Sequence, residues 1–313
     1  MNGLGWSRYM EAVQKKGFSW YEGEVHPKIV NDLMPFSIHF RSYQMPKMLY
    51  KQWLDQTGMD MIYGYVPWFY GRENTTDEFG CFQYKKPLAN VGDLIDPPPY
   101  DAIKSRAEEL CSIKDGRGVE FALYNTPMIV LDALGLEKFA IEMMDHPAKL
   151  EDWMDRIDER VARELEVILE YPVEVIQITQ IFADKNGPLF GAEQLDRFGF
   201  QYLNRRSQRI STEGRLLSIH CDGDCRKLYG RIERLANVFN GYEGTDFARD
   251  LAESKMGFRG SVPTSLLANG TPETIEAHVK ELKKGTPHVI GSTHDTGDVP
   301  IENFMAMMEA ARG

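Results

Sequence analysis

Residues 215–220 read Arg-Leu-Leu-Ser-Ile-His, a short and mostly apolar run that predicts a buried β-strand. A helical pattern follows at 225–236, so the two together form one strand–helix unit. The same unit repeats along most of the chain. Further strands are predicted at 59–66, 119–125, 173–181, 238–242, 258–262 and 288–292, and further helices at 137–170, 192–212, 246–256, 272–284 and 300–312. Parallel strands joined by helices form an open sheet or a closed barrel, and this number of units favours a (β/α)8 TIM barrel.

The N-terminal part of the sequence is less regular. We interpret residues 1–58 as an irregular N-terminal extension of the barrel, and 67–118 as irregular apart from a strand at 79–84. No low-complexity linker or internal repeat divides the sequence, so residues 1–313 are predicted to form one α/β domain.

The charge balance limits the classes of partner. The formal net charge of −11 argues against nucleic acid and anionic membrane surfaces, because both attract basic proteins. We also find neither an apolar run of about 18 residues nor a secretory signal, so a cytoplasmic location is expected. Small molecules and proteins are the expected partners, and a homodimer stays open. The four cysteines are too few for a disulfide framework and are expected to be thiols.

Two histidines follow predicted strands at the end of the barrel where catalytic groups collect. Residues 220–225 read His-Cys-Asp-Gly-Asp-Cys, and His294 follows the strand at 288–292 among further carboxylates. We therefore expect His220, Asp222 and His294 to face one mouth and to be catalytic. Imidazole and carboxylate are ligands that suit Zn²⁺, but a metal-free acid–base site built from the same groups also stays open.

Other polar residues end or follow neighbouring strands. Gln177 and Asn240 are predicted to bind substrate, and Glu243 is a further candidate metal ligand. Asp224 follows the same strand as Asp222, where a carboxylate commonly caps the next helix, so a structural role is expected for it.

An aromatic segment accompanies the strand at 59–66. It contains Tyr63, Tyr65, Trp68 and Tyr70. These side chains either pack in the core or form a wall for a flat, apolar substrate, with Tyr65 as a proton donor.

Several motifs in the second half of the chain are shared with a known family. Residues 260–263 read Gly-Ser-Val-Pro, 266–273 read Leu-Leu-Ala-Asn-Gly-Thr-Pro-Glu, and 297–303 read Gly-Asp-Val-Pro-Ile-Glu-Asn. Together with Thr-Pro at 126–127 and Met-Asp-His-Pro at 144–147, they resemble motifs of the uroporphyrinogen decarboxylase superfamily over roughly residues 118–312. That superfamily includes the cobalamin-dependent methyltransferases of methanogens and acetogens.

The resemblance implies a barrel enzyme and a zinc site. The decarboxylase carries an arginine-rich N-terminal motif, whereas residues 36–43 here contain one arginine, so porphyrinogen decarboxylation is not expected. The methyltransferase branch holds zinc on a His-x-Cys pair and on a later cysteine. His220 matches the histidine, Asp222 stands at the first cysteine position, and His294 lies in the region of the second. Cys221 is one residue out of register.

The function that the resemblance implies is a corrinoid-dependent methyltransferase. It would move a methyl group from a methyl ether or similar donor to a partner corrinoid protein, with the metal as Lewis acid. The alternative is a metal-free decarboxylase or lyase that uses the same groups on a small carboxylic acid. A third hypothesis is a catalytically silent barrel that binds a corrinoid or a partner protein.

Overall fold

The structure is a computed structural model of the 313-residue chain. It describes residues 26–30, 51, 54–55, 60–66, 74–76, 82–84, 100–180, 182–240, 249–250, 254–260, 262–284, 289–292 and 300–313. None of the described helices is both long enough and apolar enough to cross a membrane.

Eight parallel strands form the central sheet. They are β1 His26–Val30, β2 Met61–Tyr65, β3 Gly118–Tyr124, β4 Val175–Thr179, β5 Leu216–His220, β6 Val238–Asn240, β7 Gly257–Arg259 and β8 Val289–Ile290. From β2 to β8 each strand pairs with the next strand of the chain, and β1 pairs with β8. This order, in which parallel strands follow one another in sequence around the sheet, is that of an eight-stranded barrel, and the predicted (β/α)8 fold is confirmed.

Helices follow the strands along the chain. The described helices are Tyr100–Ser112, Thr126–Leu134, Leu136–Asp145, Pro147–Leu169, Ala192–Leu195, Gln201–Thr212, Tyr229–Ile232, Thr264–Asn269, Pro272–Leu282 and Ile301–Arg312. A π-helical segment, Asp196–Phe200, joins two of them, and a 3-10 turn, Arg226–Leu228, precedes Tyr229–Ile232. The helix Pro272–Leu282 begins after an N-cap residue, because the Thr271 hydroxyl accepts the backbone N–H of Thr274 at 3.4 Å.

The strands have two unlike faces, since successive side chains of a strand point to opposite sides. One face packs against the helices and is apolar. Its members are Ile62, Val119, Phe121, Leu123, Ile176, Ile178, Leu217, Ile219, Phe239, Phe258 and Ile290. The alternate positions face the barrel interior and carry five buried polar residues: Glu120, Gln177, Ser218, Asn240 and Arg259. A barrel of this type more often fills its interior with branched apolar residues, so the polar interior distinguishes this chain.

Four details differ from the sequence interpretation. Strand β1 lies within 1–58, so the barrel sheet uses part of the range that we interpreted as an extension. The helix Tyr100–Ser112 occupies part of the segment read as irregular. The predicted helix 225–236 is shorter, because the chain turns after Ile232. Much of the predicted helix 246–256 lies outside the described residues. Asn74–Thr76, in the segment read as irregular, forms a two-stranded antiparallel sheet with Phe82–Tyr84, and Phe82–Tyr84 lies inside the strand predicted at 79–84.

Candidate active site

A cavity of about 180 Å³ opens among the C-terminal ends of the barrel strands. All six predicted site residues that the structure describes line it: Tyr63, Tyr65, Gln177, His220, Asp222 and Asn240. The other predicted site residues, Trp68, Tyr70, Glu243 and His294, lie outside the described residues. The cavity also has lining residues that the sequence analysis did not select, among them Tyr124, Arg259 and Ser292.

His220 and Asp222 form the polar end of this cavity. The His220 Nε2 atom lies 3.0 Å from Asp222 Oδ1. The imidazole is mostly buried, with 15% of the side chain exposed, whereas the carboxylate is 61% exposed. Strand β5 ends at His220, and its last carbonyl accepts the backbone N–H of Gln180 at 2.9 Å. The His220–Asp222 pair therefore lies where strand β5 ends and the cavity begins.

The turn after His220 is held by a short hairpin of Ala183–Asp184 and Gly187–Pro188. The backbone N–H of Asp224 donates to the Asp184 carbonyl at 2.8 Å. A Cβ atom on Gly223 would lie 2.1 Å from the Ala183 carbonyl oxygen, so only glycine fits here without a shift of backbone. This contact fixes the path of the chain between His220 and Asp224.

Asp224 and the two neighbouring cysteines do not line the cavity. Asp224 accepts the backbone N–H of Arg226 at 3.1 Å and pairs with its guanidinium, which lowers the pKa of the carboxyl group. Cys221 and Cys225 are buried in the apolar core. A hydrogen bond from Cys225, together with backbone N–H groups, lowers the pKa of the Cys221 thiol to about 6. Because Cys221 packs in the core and His220 lines the cavity, the two side chains lie on opposite faces at the end of the strand.

Three tyrosines form an aromatic side of the cavity. The ring centroids of Tyr63 and Tyr65 are 6.1 Å apart, and those of Tyr65 and Tyr124 are 6.4 Å apart with an edge-to-face angle of 85°. Burial raises the pKa of Tyr63 well above its usual value, so its hydroxyl stays protonated. Its oxygen accepts a hydrogen bond from Gln177 Nε2 at 3.2 Å.

A buried ion pair inside the barrel was missed by the sequence analysis. Arg259 Nη1 lies 2.8 and 2.7 Å from the two carboxylate oxygens of Glu120, and both side chains are less than 5% exposed. We call these two residues the interior ion pair. The available signal was a polar residue at alternate positions of otherwise apolar strands, as in Val-Glu-Phe at 119–121 and Gly-Phe-Arg at 257–259.

The comparison with known families decides the assignment. Residues 128–313 match the model of uroporphyrinogen decarboxylase (URO-D). The chain belongs to the uroporphyrinogen decarboxylase family. The match spans most of the range over which the sequence motifs indicated this superfamily.

Solved structures share the fold of this URO-D family member at low sequence identity. A methyltransferase from Methanosarcina mazei superposes with a TM-score of 0.73 over 98% of both chains, at 14% identity. A B12-independent methionine synthase from Shewanella sp. W3-18-1, solved in complex with selenomethionine, gives a TM-score of 0.55 at 12% identity, over 92% of this chain and 96% of the other. None of the curated proteins matches.

The URO-D resemblance implies a zinc site, and His220 Nε2 and Asp222 Oδ1 are the described donor atoms at its predicted position. Two ligands of one tetrahedral Zn²⁺ lie roughly 3.3 Å apart. The 3.0 Å separation of His220 Nε2 and Asp222 Oδ1 is close to that value. Within the described residues, no group of three or more His, Cys, Asp and Glu side chains could hold a metal. His220 and Asp222 are two possible donors for a metal ion, and the other ligands that the sequence predicts, His294 and Glu243, lie outside the described residues.

Proposed function

We propose that this protein is the methyl-transfer component of a corrinoid-dependent demethylase. It moves a methyl group from a methyl ether or a similar donor to the cobalt of a partner corrinoid protein. The observation that carries the proposal is the placement of the close His220–Asp222 pair beside three tyrosines in one cavity of a URO-D barrel. The fold likeness to a methyltransferase supports the same reaction class.

The main difficulty of this reaction is the leaving group. Reduced cobalt is already a strong nucleophile, so the enzyme must stabilise the negative charge that develops on the ether oxygen as the carbon–oxygen bond breaks. The methyl carbon leaves that oxygen and bonds to cobalt, and the oxygen keeps the electron pair and takes up a proton.

Different residues of this chain would stabilise the leaving group and bind the methyl donor. His220 and Asp222, with His294 and Glu243 as the other predicted ligands, would hold Zn²⁺, which supplies Lewis acidity toward the ether oxygen. Tyr65 lines the same cavity as this pair and supplies the proton for the departing oxygen. Tyr63 and Tyr124 seat an apolar or aromatic group, and the open end of the barrel admits the corrinoid.

The alternative decarboxylase or lyase needs a group that binds the substrate carboxylate. Among the lining residues that the structure describes, Arg259 is the one arginine, and its Nη1 contacts both oxygens of Glu120. This pairing favours methyl transfer from an uncharged donor over chemistry on a carboxylic acid.

A methyl-transfer assay tests the proposal. The full-length protein, loaded with zinc, is incubated with cob(I)alamin and a panel of methyl ethers, and methylcobalamin is followed by its absorbance. The proposal predicts methylcobalamin formation that a zinc chelator abolishes. Absence of transfer from every ether, with carbon dioxide released from a carboxylic acid by the metal-free protein, would overturn it.

A further inference from the structure

A π-helical segment, Asp196–Phe200, interrupts the helical stretch that leads into strand β5. Such segments are rare, and they occur frequently at functional sites. Three consecutive residues of this one, Phe198, Gly199 and Phe200, are all buried. A regular surface helix buries residues that are three or four positions apart. The π-helical segment therefore turns more of its side chains toward the protein interior than a surface helix does.

Phe182 packs against this segment shortly after strand β4 ends. Its ring stacks on the ring of Phe200, with centroids 4.4 Å apart and an angle of 18° between the two planes. A Cβ atom on Gly199 would lie 3.0 Å from Phe182 Cε1, so the ring of Phe182 also lies close to the glycine backbone. Phe182 is fully buried, and Phe200 is 7% exposed. We call these two phenylalanines the aromatic stack.

Phe182 leads directly into the hairpin at 183–188. Its carbonyl accepts the backbone N–H of Leu189 at 3.0 Å, which continues the pairing of the two hairpin strands. The sulfur of Cys221, the residue after His220, accepts the backbone N–H groups of Phe182 and of the first hairpin residue. The aromatic stack thus holds the base of the hairpin, and the base of the hairpin is bonded to the end of strand β5.

The hairpin also contacts the turn that carries Asp222. Gly223 has no room for a Cβ atom beside the hairpin backbone, and the Asp224 N–H donates to a hairpin carbonyl at 2.8 Å. Both contacts come directly after Asp222, whose side chain is 61% exposed. Solvent surrounds most of this carboxylate, and holding an exposed side chain in one geometry costs entropy. Its position beside His220 therefore depends on the backbone that carries it.

A second contact ties the stack to the chain after the turn. The Arg231 guanidinium carbon lies 5.5 Å from the ring centroid of Phe200, and its Nη1 lies 2.9 Å from Asp196 Oδ1. Arg231 belongs to the helix Tyr229–Ile232, which follows strand β5 and its turn. The π-helical segment is thus bound on both sides of the turn, to the hairpin through Phe182 and to the next helix through Arg231.

We propose that the π-helical segment positions Asp222. The aromatic stack holds the hairpin against the turn, and the turn brings the carboxylate to His220. Phe182 and Phe200 are positioning residues, and neither of them lines the cavity. The contribution of this placement to methyl transfer rests on the proposed function, whereas the placement itself does not.

Amide hydrogen exchange in the full-length protein tests the placement. Phe200→Leu removes one ring of the stack, so the Asp224 N–H that bonds to the hairpin should exchange at least about tenfold faster than in the wild type. Phe304→Leu is the matched control, because Phe304 is a fully buried member of the same core cluster in the helix Ile301–Arg312, which packs against β1. The control should leave the exchange rate at Asp224 unchanged.

A further variant keeps this test valid if Phe200→Leu does not fold. Gly199→Ala keeps both rings, but its added Cβ atom would displace the ring of Phe182, so it should also accelerate exchange at Asp224. Thermal melting identifies the variants that fold. Unchanged exchange in the folded stack variants, or the same acceleration in Phe304→Leu, would overturn the proposal.

A double-mutant cycle tests whether the stack acts through Asp222. Zinc affinity is measured in the wild type, in Phe200→Leu, in Asp222→Ala and in the double variant. Phe200→Leu alone should weaken zinc binding by about tenfold or more. It should have no further effect once Asp222 is absent, because effects that share one route are not additive. A merely structural role would weaken binding by the same factor in both backgrounds and would overturn the proposal.

The outcomes separate this inference from the proposed function. Faster exchange at Asp224 in Phe200→Leu, without methyl transfer to cob(I)alamin by the wild type, would support the inference and overturn the proposed function. Methyl transfer by the wild type, with unchanged exchange in Phe200→Leu, would do the reverse.

Discussion

His220 Nε2 lies 3.0 Å from Asp222 Oδ1, although one residue separates them in the chain. The intervening Cys221 points into the apolar core, and the turn that follows returns the carboxylate to the end of β5. The imidazole and the carboxylate therefore present donor atoms to one point at the barrel mouth. This contact depends on the tight turn at Gly223.

Removal of either side chain should impair zinc binding. Loss of a residue that only hydrogen-bonds to a metal ligand weakens metal binding by about 10- to 100-fold. His220→Ala and Asp222→Ala each remove a predicted ligand itself, so we expect each to weaken zinc affinity by more than that. Metal analysis of the purified full-length variants after competition with a chelator measures this. His146→Ala is the control, because His146 is 59% exposed and does not line the cavity, and its zinc affinity should be that of the wild type. Unchanged affinity in both site variants would exclude this metal site.

A methyl group at Gly223 should disturb the site. The added Cβ would meet the Ala183 backbone at 2.1 Å, so Gly223→Ala should lower the free energy of unfolding by about 1–3 kcal/mol and reduce activity further by moving Asp222. Gly230→Ala is the matched control, because a Cβ there has no atom within 4 Å and alanine favours a helix. Urea unfolding and the methyl-transfer assay give the two quantities. Equal behaviour of the two variants would show that the contact at Gly223 is unimportant.

The interior ion pair should matter for stability when only one partner is removed. Glu120→Ala removes the buried carboxylate that lies against the Arg259 cation, so it should lower the free energy of unfolding by about 3–5 kcal/mol. The exposed pair of Asp152 and Arg156 is the comparison, and Asp152→Ala should cost about 0–1 kcal/mol. Urea unfolding at one pH compares the two. A similar small loss in both would mean that the interior charge is solvated.

Alkaline pH should reduce stability through Tyr63. Burial raises the pKa of its hydroxyl in the folded state, so the folded protein holds this proton more tightly than the unfolded chain. The corresponding stability is fully present below the unfolded pKa of about 10 and is lost as the pH rises above it. Tyr63→Phe should therefore show a shallower fall of the unfolding free energy above about pH 10. Parallel curves for the variant and the wild type would contradict this.

Much of the fold was readable from the sequence because its signals are local. The strands after residue 118 appear as short apolar runs between helical patterns, and each lies within one residue of its predicted start, except that β4 begins two residues later. Strand β1 was missed, because His-Pro-Lys-Ile-Val has little apolar pattern and its partner β8 is at the other end of the chain. In the helix Tyr100–Ser112 the helical period was present, since Ile103, Arg106, Ala107 and Leu110 are buried.

The site was readable only in part, for a related reason. His220 and Asp222 were found because reactive residues cluster within one turn. Glu120 and Arg259 are 139 positions apart, and their pairing depends on the closure of the barrel, which no local pattern reveals. Both residues occupy interior positions where the flanking residues are apolar, and that alternation was the one signal available.

The rate of methyl transfer in a single turnover tests the central claim most directly. Zinc-loaded wild-type protein and His220→Ala are mixed with an aryl methyl ether and cob(I)alamin, and the appearance of methylcobalamin is timed. We predict transfer by the wild type and a rate at least about 100-fold lower in His220→Ala, with the fold intact by circular dichroism. No transfer by the wild type, or the same rate in both proteins, would contradict the assignment of this cavity as a methyl-transfer site.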